Sequence, residues 1–359
     1  MSSSRFRRAA YDLAARALWR MPGCFEIASV LGPSYALRCV LFHDVSAAET
    51  PFTAGMKVST APAKFEKALK FLSTYYTPVR LEDVLAKAAG QELPKRAVLL
   101  TFDDAYASVL EVAAPLCQKY GVPAVYFVNA AFLNNQRLAP DNLICYVANM
   151  RGMDTINAAA RTVKSAELPQ MRVLSDIFSN FLPSLTLAER ETFLEALRQM
   201  VEITEERLAQ SSGLYLTTQQ LRSLASFDFE IGNHTYTHVH CRHLSPAEFG
   251  GEIDRNQSEL ESLSGTKVRS FSLPYGSSID LTNELAIHLQ HTGHKAVFLS
   301  ESVANRRGSN PLHLDRVSSR VEGDDRLFLE LEILPRVRAV RNLLFGPARI
   351  HPENVQSPS

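Results

Sequence analysis

The chain has 359 residues, with 38 Lys+Arg against 38 Asp+Glu, 46% hydrophobic residues and 21% charged ones. That balance belongs to a folded protein, and a net charge of zero argues against general nucleic-acid binding, which needs a basic surface to displace counterions. No apolar run reaches the ~18 to 20 residues of a membrane-spanning helix, and five cysteines without a C-x-x-C pair argue for a reducing compartment over a disulfide framework.

Residues 1–22 carry five arginines (Arg5, Arg7, Arg8, Arg16, Arg20) and one acid, Asp12, a net charge of +4. Their apolar set, Phe6, Ala10, Leu13, Ala14, Ala17, Leu18 and Met21, follows helical spacing. Arg16 and Arg20 interrupt the continuous stretch that a secretory signal would need. Residues 1–22 therefore read as an amphipathic helix within a basic N-terminal segment, 1–37, either packed on the domain it precedes or lying on an anionic membrane surface.

From residue 38 short apolar runs alternate with helical stretches, the pattern of a parallel α/β fold. Strands are predicted at Arg38–Phe42, Ala97–Phe102, Ala124–Val128, Phe227–Ile231, Arg269–Leu273 and Ala296–Leu299. Tyr106–Tyr120 reads as a helix stopped by Gly121-Val122-Pro123. Ser245 caps the next helix with Pro246 at its first position and Glu248 closing a capping box, and that helix ends at Gly265. Residues 130–216 break the alternation with helical patterning and no strand. They read as a helical insertion in a barrel spanning 38–320, placed to form part of a cleft wall without touching the chemistry. Residues 321–359 read as a helical tail. Arg336, Arg338, Arg341 and Arg349 give it a second basic stretch around Leu343, Leu344 and Phe345.

Polar groups gather at the ends of the predicted strands. Thr101-Phe102-Asp103-Asp104 ends a strand in two adjacent carboxylates, which is either a solvated turn or a pair in which one member needs a cation or a raised pKa. Gly232-Asn233-His234-Thr235-Tyr236-Thr237-His238 spaces two histidines four apart, so that a helical turn would converge them on one metal. With His240 and His243 nearby, the run is also readable as a solvated loop, and His240 and Cys241 are left as structural. Leu273-Pro274-Tyr275-Gly276 is by itself a rigid turn. Taken together at one barrel rim, two histidines and one aspartate make a catalytic metal set with open positions, leaving the other aspartate free as a base.

The order of these three motifs resembles the polysaccharide deacetylase (NodB-homology, carbohydrate esterase family 4-like) family. Phe42-His43-Asp44-Val45 is similar to the first-strand segment of its exopolysaccharide-type members. The resemblance covers roughly residues 38–130 and 217–320. It implies a distorted (β/α)7 TIM-like barrel and a hydrolase that removes N-acetyl groups from an N-acetylhexosamine-containing glycan or glycolipid. It further implies a divalent metal, zinc above others, held by Asp104, His234 and His238, with Asp103 as general base. Tyr275, in the turn with Pro274, would supply the oxyanion donor through its backbone N–H, and His43 the general acid.

Three positions depart from the pattern. Ala105 stands where the family usually has Gly, and Ser272 where many members carry an Arg that orients the base. His313 is only a loose match to the late Leu-x-His acid motif. Two other functions share these features: a deformylase or other amide hydrolase on the same barrel, and a catalytically silent glycan-binding barrel. Two basic, partly apolar ends on a neutral protein suit a cytoplasmic enzyme resting on the anionic inner leaflet, with a lipid-linked sugar as substrate.

Overall fold

The computed structural model describes residues 13–14, 16–30, 35–88, 91–164, 169–201, 203–302, 305–306, 308–318 and 323–345. Nine strands form one sheet: β1 (Tyr35–Phe42), β2 (Thr77–Pro78), β3 (Ala97–Phe102), β4 (Ala124–Val128), β5 (Phe229–Asn233), β6 (Ser270–Ser272), β7 (Ala296–Leu299), β8 (Asn305–Arg306) and β9 (Leu314–Ser318). Seven of them close on themselves, each parallel to its neighbours, in the order β1-β3-β4-β5-β6-β7-β9 and back to β1. The short β2 lies parallel beside Ala97–Val98, and β8 runs antiparallel to the start of β1. This is the (β/α)7 barrel.

Side chains alternate across each strand, so every second residue enters the lumen. Leu37, Cys39, Leu99, Val125, Phe127, Phe298 and Leu314 share one buried cluster. Phe127 and Phe298, on strands that are not neighbours, meet ring to ring at 5.2 Å across the lumen. The opposite parity, Val40, Phe42, Val98, Leu100 and Phe102, packs outward beneath the helices. Continuing the inward parity past the strand ends brings His43 after Leu41, Asp103 after Thr101 and His234 after Gly232 to one mouth of the barrel. Gly232 is required here, because a Cβ on it would come within 2.3 Å of the Phe127 ring.

Several boundaries differ from the sequence expectation for local reasons. Leu224–Phe227 is a helical turn that Asp228 ends at φ 63°, so β5 begins at Phe229 and not Phe227. The helix expected from Tyr106 starts at Val109 with one widened turn before Ala114–Tyr120, where Pro115 offers no N–H. Ser245 caps as expected, and Gly265 ends Arg255–Ser264 in the left-handed conformation. The seventh barrel strand, β9, was not expected, because Asp315 and Arg316 interrupt its apolar pattern.

The insertion leaves after β4 and carries the helices Pro140–Arg151, Met153–Ala160, Leu187–Gln199 and Glu205–Ser212. It packs at the mouth formed by the strands' C-terminal ends. The described parts of the two chain ends pack together. Arg16 bonds Asp325 at 3.0 Å, and Trp19 sits among Phe25, Phe71, Tyr75 and Phe328. Two of the tail's arginines are not surface charges. Arg336 is buried against Glu332, and Arg338 is half-buried and donates to the Ser302 carbonyl at 2.7 Å. Arg5, Arg7, Arg8 and Arg349 lie outside the described residues. Among the described residues no helix is long and apolar enough to cross a membrane.

Candidate active site

Asp104, His234 and His238 bring one ligand atom each to within 4.8 Å of one another. Oδ1 of Asp104 lies 3.3 Å from Nε2 of His234 and 3.4 Å from Nε2 of His238. Bonds of ~2.0–2.1 Å to a tetrahedral ion set its ligand atoms about 3.3 to 3.4 Å apart, so these separations fit a zinc-sized ion between them. The outer nitrogens agree. Nδ1 of His234 donates to the Ser272 carbonyl at 2.7 Å, and Nδ1 of His238 is 2.6 Å from Asp141 Oδ2. A proton kept on each Nδ1 leaves each Nε2 lone pair free for a metal.

The backbone at this mouth is strained. Of eleven non-glycine residues with positive φ among the described residues, five are here: Asp104, Ala105, Thr235, His238 and Tyr275. Such clustering marks a reaction centre more often than a structural turn. Ala105 at φ 60° holds a backbone conformation that favours glycine, so its methyl is tolerated at a cost, not accommodated freely. Gly276 is held by space as well as by its φ of 71°, since a Cβ there would meet Ser300 at 2.4 Å.

Asp103 is 2% exposed and points into the lumen, with its Oδ2 3.7 Å from Nε2 of His234. Arg316, from β9, grips it with two parallel bonds, Nη1 to Oδ1 at 2.7 Å and Nη2 to Oδ2 at 2.8 Å. Ser272 Oγ adds a bond to Asp103 at 3.2 Å and accepts from Arg316 at 2.8 Å. The small Ser272 thus leaves room for a guanidinium that arrives from a different strand. Burial alone would raise the Asp103 pKa, but the Arg316 charge and hydrogen bonds, with His234 and His43 adding to them, together hold the carboxyl below its usual range.

The other expected residues fall as follows. His43 is half-buried at the end of β1 and contributes to the field on both aspartates. Pro274 is buried, and Tyr275 sits with its ring stacked on His240 at 3.6 Å and 4.8 Å from the His238 ring. His313 is exposed just before β9 begins, at the opposite end of the barrel, and is not part of the site. Sequence reasoning missed two residues here, Arg316 and Asp141; His240, left as structural, stacks on the Tyr275 ring. Both ring nitrogens of His240 are buried without a hydrogen-bond partner. A strand-like parity at 314–317 was the available signal for Arg316; nothing local announces Asp141.

No curated protein sequence matches the chain. Among solved structures it is similar to the Streptococcus pyogenes deacetylase PplD in complex with acetate, with a TM-score of 0.56 and 16% identity over 84% of this chain and 99% of that one. IcaB from Ammonifex degensii gives 0.55 and 17% over 84% and 98%. A de-N-acetylase from Aggregatibacter actinomycetemcomitans gives 0.51 and 17% over 80% and 96%. At such identities these likenesses establish the fold. The family model for polysaccharide deacetylase matches residues 90–294, a span that includes both aspartates, both histidines and the proline turn and exceeds half the sequence. By that match the chain belongs to the polysaccharide deacetylase family, and it is a hydrolase of carbon–nitrogen bonds.

Proposed function

We propose that this enzyme removes N-acetyl groups from an N-acetylhexosamine-containing glycan or glycolipid in cell-surface polysaccharide biosynthesis, using zinc held by Asp104, His234 and His238. The observation that carries this reading is the convergence of three donor atoms with both outer imidazole nitrogens already engaged. A divalent ion bound there supplies Lewis acidity toward the acetamide carbonyl and lowers the pKa of water. Asp103, ionised and fixed by Arg316, takes the proton from the attacking water. The Tyr275 N–H donates to the oxyanion of the tetrahedral intermediate, and His43 protonates the departing amine.

Acetate release from N-acetylglucosamine oligomers by the zinc-loaded protein tests the reaction. His238→Ala is expected to lose both metal and turnover. Asp103→Asn is expected to keep the metal and lose ~10² to 10⁴-fold in rate. Formate released from an N-formyl amino sugar, with no acetate from the N-acetyl oligomers, would make the enzyme a deformylase; metal without turnover on either would make it a silent binding barrel.

For location the proposal is the inner face of an anionic membrane, with a lipid-linked sugar as substrate. Its support is the contact between the described parts of the two ends, Arg16 with Asp325, and the exposure of Leu13, Met21, Val337, Val340 and Leu344 and of Arg16, Arg20 and Arg341 within those ends. Flotation with anionic but not neutral liposomes is the expected result, and equal, negligible binding to both overturns it.

A further inference from the structure

Asp141 reaches the site from outside the barrel. It lies in the first turn of Pro140–Arg151, the first long helix of the insertion, and is 6% exposed. Its Oδ2 takes the His238 Nδ1 contact at 2.6 Å, and its Oδ1 accepts from the Tyr275 hydroxyl at 3.0 Å. One carboxylate therefore touches both His238, the last proposed metal ligand, and the side chain of Tyr275, whose N–H is the proposed oxyanion donor.

The placement of this helix is fixed by its neighbours. Asn142 accepts from the Tyr215 hydroxyl at 2.6 Å and donates to the Tyr106 hydroxyl and the Phe52 carbonyl, each at 3.0 Å. The Ala139 N–H donates to the Tyr215 hydroxyl at 2.9 Å. Tyr106 stands two residues after Asp104, and its own carbonyl accepts from Tyr126 of β4 at 2.7 Å. The helix start is thus tied to the same segment that presents the aspartates. Farther along the insertion, Arg190 donates to the Thr237 carbonyl at 2.6 Å, beside His238.

We propose that Asp141 is a positioning residue that joins the insertion to the reaction centre, so that docking of residues 140–151 and capture of the metal are one linked equilibrium. This rests on the metal site proposed above. A carboxylate on the outer nitrogen of a ligating histidine fixes the ring and makes it a better donor, and its loss lowers metal affinity by ~10 to 100-fold. Linkage is reciprocal: the factor by which a docked insertion tightens the metal is the factor by which the metal tightens docking. The Tyr275 hydroxyl bond extends the effect to the oxyanion turn, where the left-handed backbone needs its side chain held.

The test uses the full chain stripped of metal and titrated with Zn²⁺ against a chromogenic chelator. Asp141→Asn is expected to bind Zn²⁺ about 10 to 100-fold more weakly and to alter the visible spectrum of the Co²⁺-substituted protein. Tyr275→Phe is expected to bind Zn²⁺ as the parent does and to lose rate in kcat with KM retained. Hydrogen exchange on the unaltered protein needs no variant: Zn²⁺ should slow amide exchange in residues 140–151. If the parent protein binds Zn²⁺ tightly while Asp141→Asn matches it, or while residues 140–151 exchange equally with and without Zn²⁺, the coupling is refuted and the metal site stands. A parent protein that does not bind Zn²⁺ refutes the metal site, and this proposal with it.

Discussion

The guanidinium on Asp103 decides whether this residue can act as the proposed base. A carboxylate this deeply buried would be protonated near neutrality if it stood alone, and a protonated carboxyl accepts nothing. Arg316→Gln removes the opposing charge while leaving a polar side chain. The acid limb of the kcat/KM profile should then move to higher pH, because the folded-state pKa of Asp103 rises once Arg316 no longer opposes burial. Rate at neutral pH should fall by ~10² or more with metal content unchanged. An unshifted acid limb would remove Arg316 from the mechanism. Moving the guanidinium back, with Arg316→Ser and Ser272→Arg together, should recover part of the loss, since the two side chains share one hydrogen bond and one acceptor. The sequence already showed the gap at Ser272. It did not show the replacement, because Leu314-Asp315-Arg316-Val317-Ser318 does not look like a strand until its parity is read: Leu314 and Arg316 face inward and Val317 outward.

At the scale of elements, strand ends were legible and the insertion's role was not. Apolar runs with β-branched and aromatic residues marked β3, β4 and β7 at their true bounds, and the clusters after them are where a parallel barrel places its chemistry. The insertion was expected to shape the cleft and leave the ligands alone. It does sit at the catalytic mouth, but Asp141 and Arg190 reach His238 and its loop. Contacts made across 97 and 48 residues of sequence carry no local pattern. Replacing residues 140–212 by a short linker should therefore lower metal content as well as change substrate choice, as plasma emission spectroscopy would show. A shortened protein with full metal content would restore the simpler view of the insertion as a wall.

The whole molecule is held shut where its ends meet. Glu332, 1% exposed, pairs with Arg38 of β1 at 2.8 Å and with Arg336, and accepts from the Tyr76 hydroxyl at 2.9 Å. Two buried cations share one anion, so Glu332→Gln leaves both uncompensated and should cost ~3 to 5 kcal/mol in urea unfolding. Asp315 gives a pH signature of its own. Burial, with Glu301 adding like charge, pushes its pKa up to about 7. The folded protein keeps that proton where the unfolded chain has lost it near pH ~4, so this residue's contribution to stability falls as pH rises from about 4 to about 7. Asp315→Asn should melt progressively higher relative to the parent between pH 5 and pH 8, and a constant difference would contradict the assignment.

The barrel's closure also has an order in time. Every proposed metal ligand lies at or before residue 238, and the strand bearing Arg316 closes the ring between β7 and β1. A ribosome thus releases the whole ligand set some eighty residues before the guanidinium that keeps the base ionised. A nascent or truncated chain ending ahead of β9 has the donors for an ion but no Arg316 partner for Asp103, so under the proposed mechanism hydrolysis waits for the last barrel strand to be made.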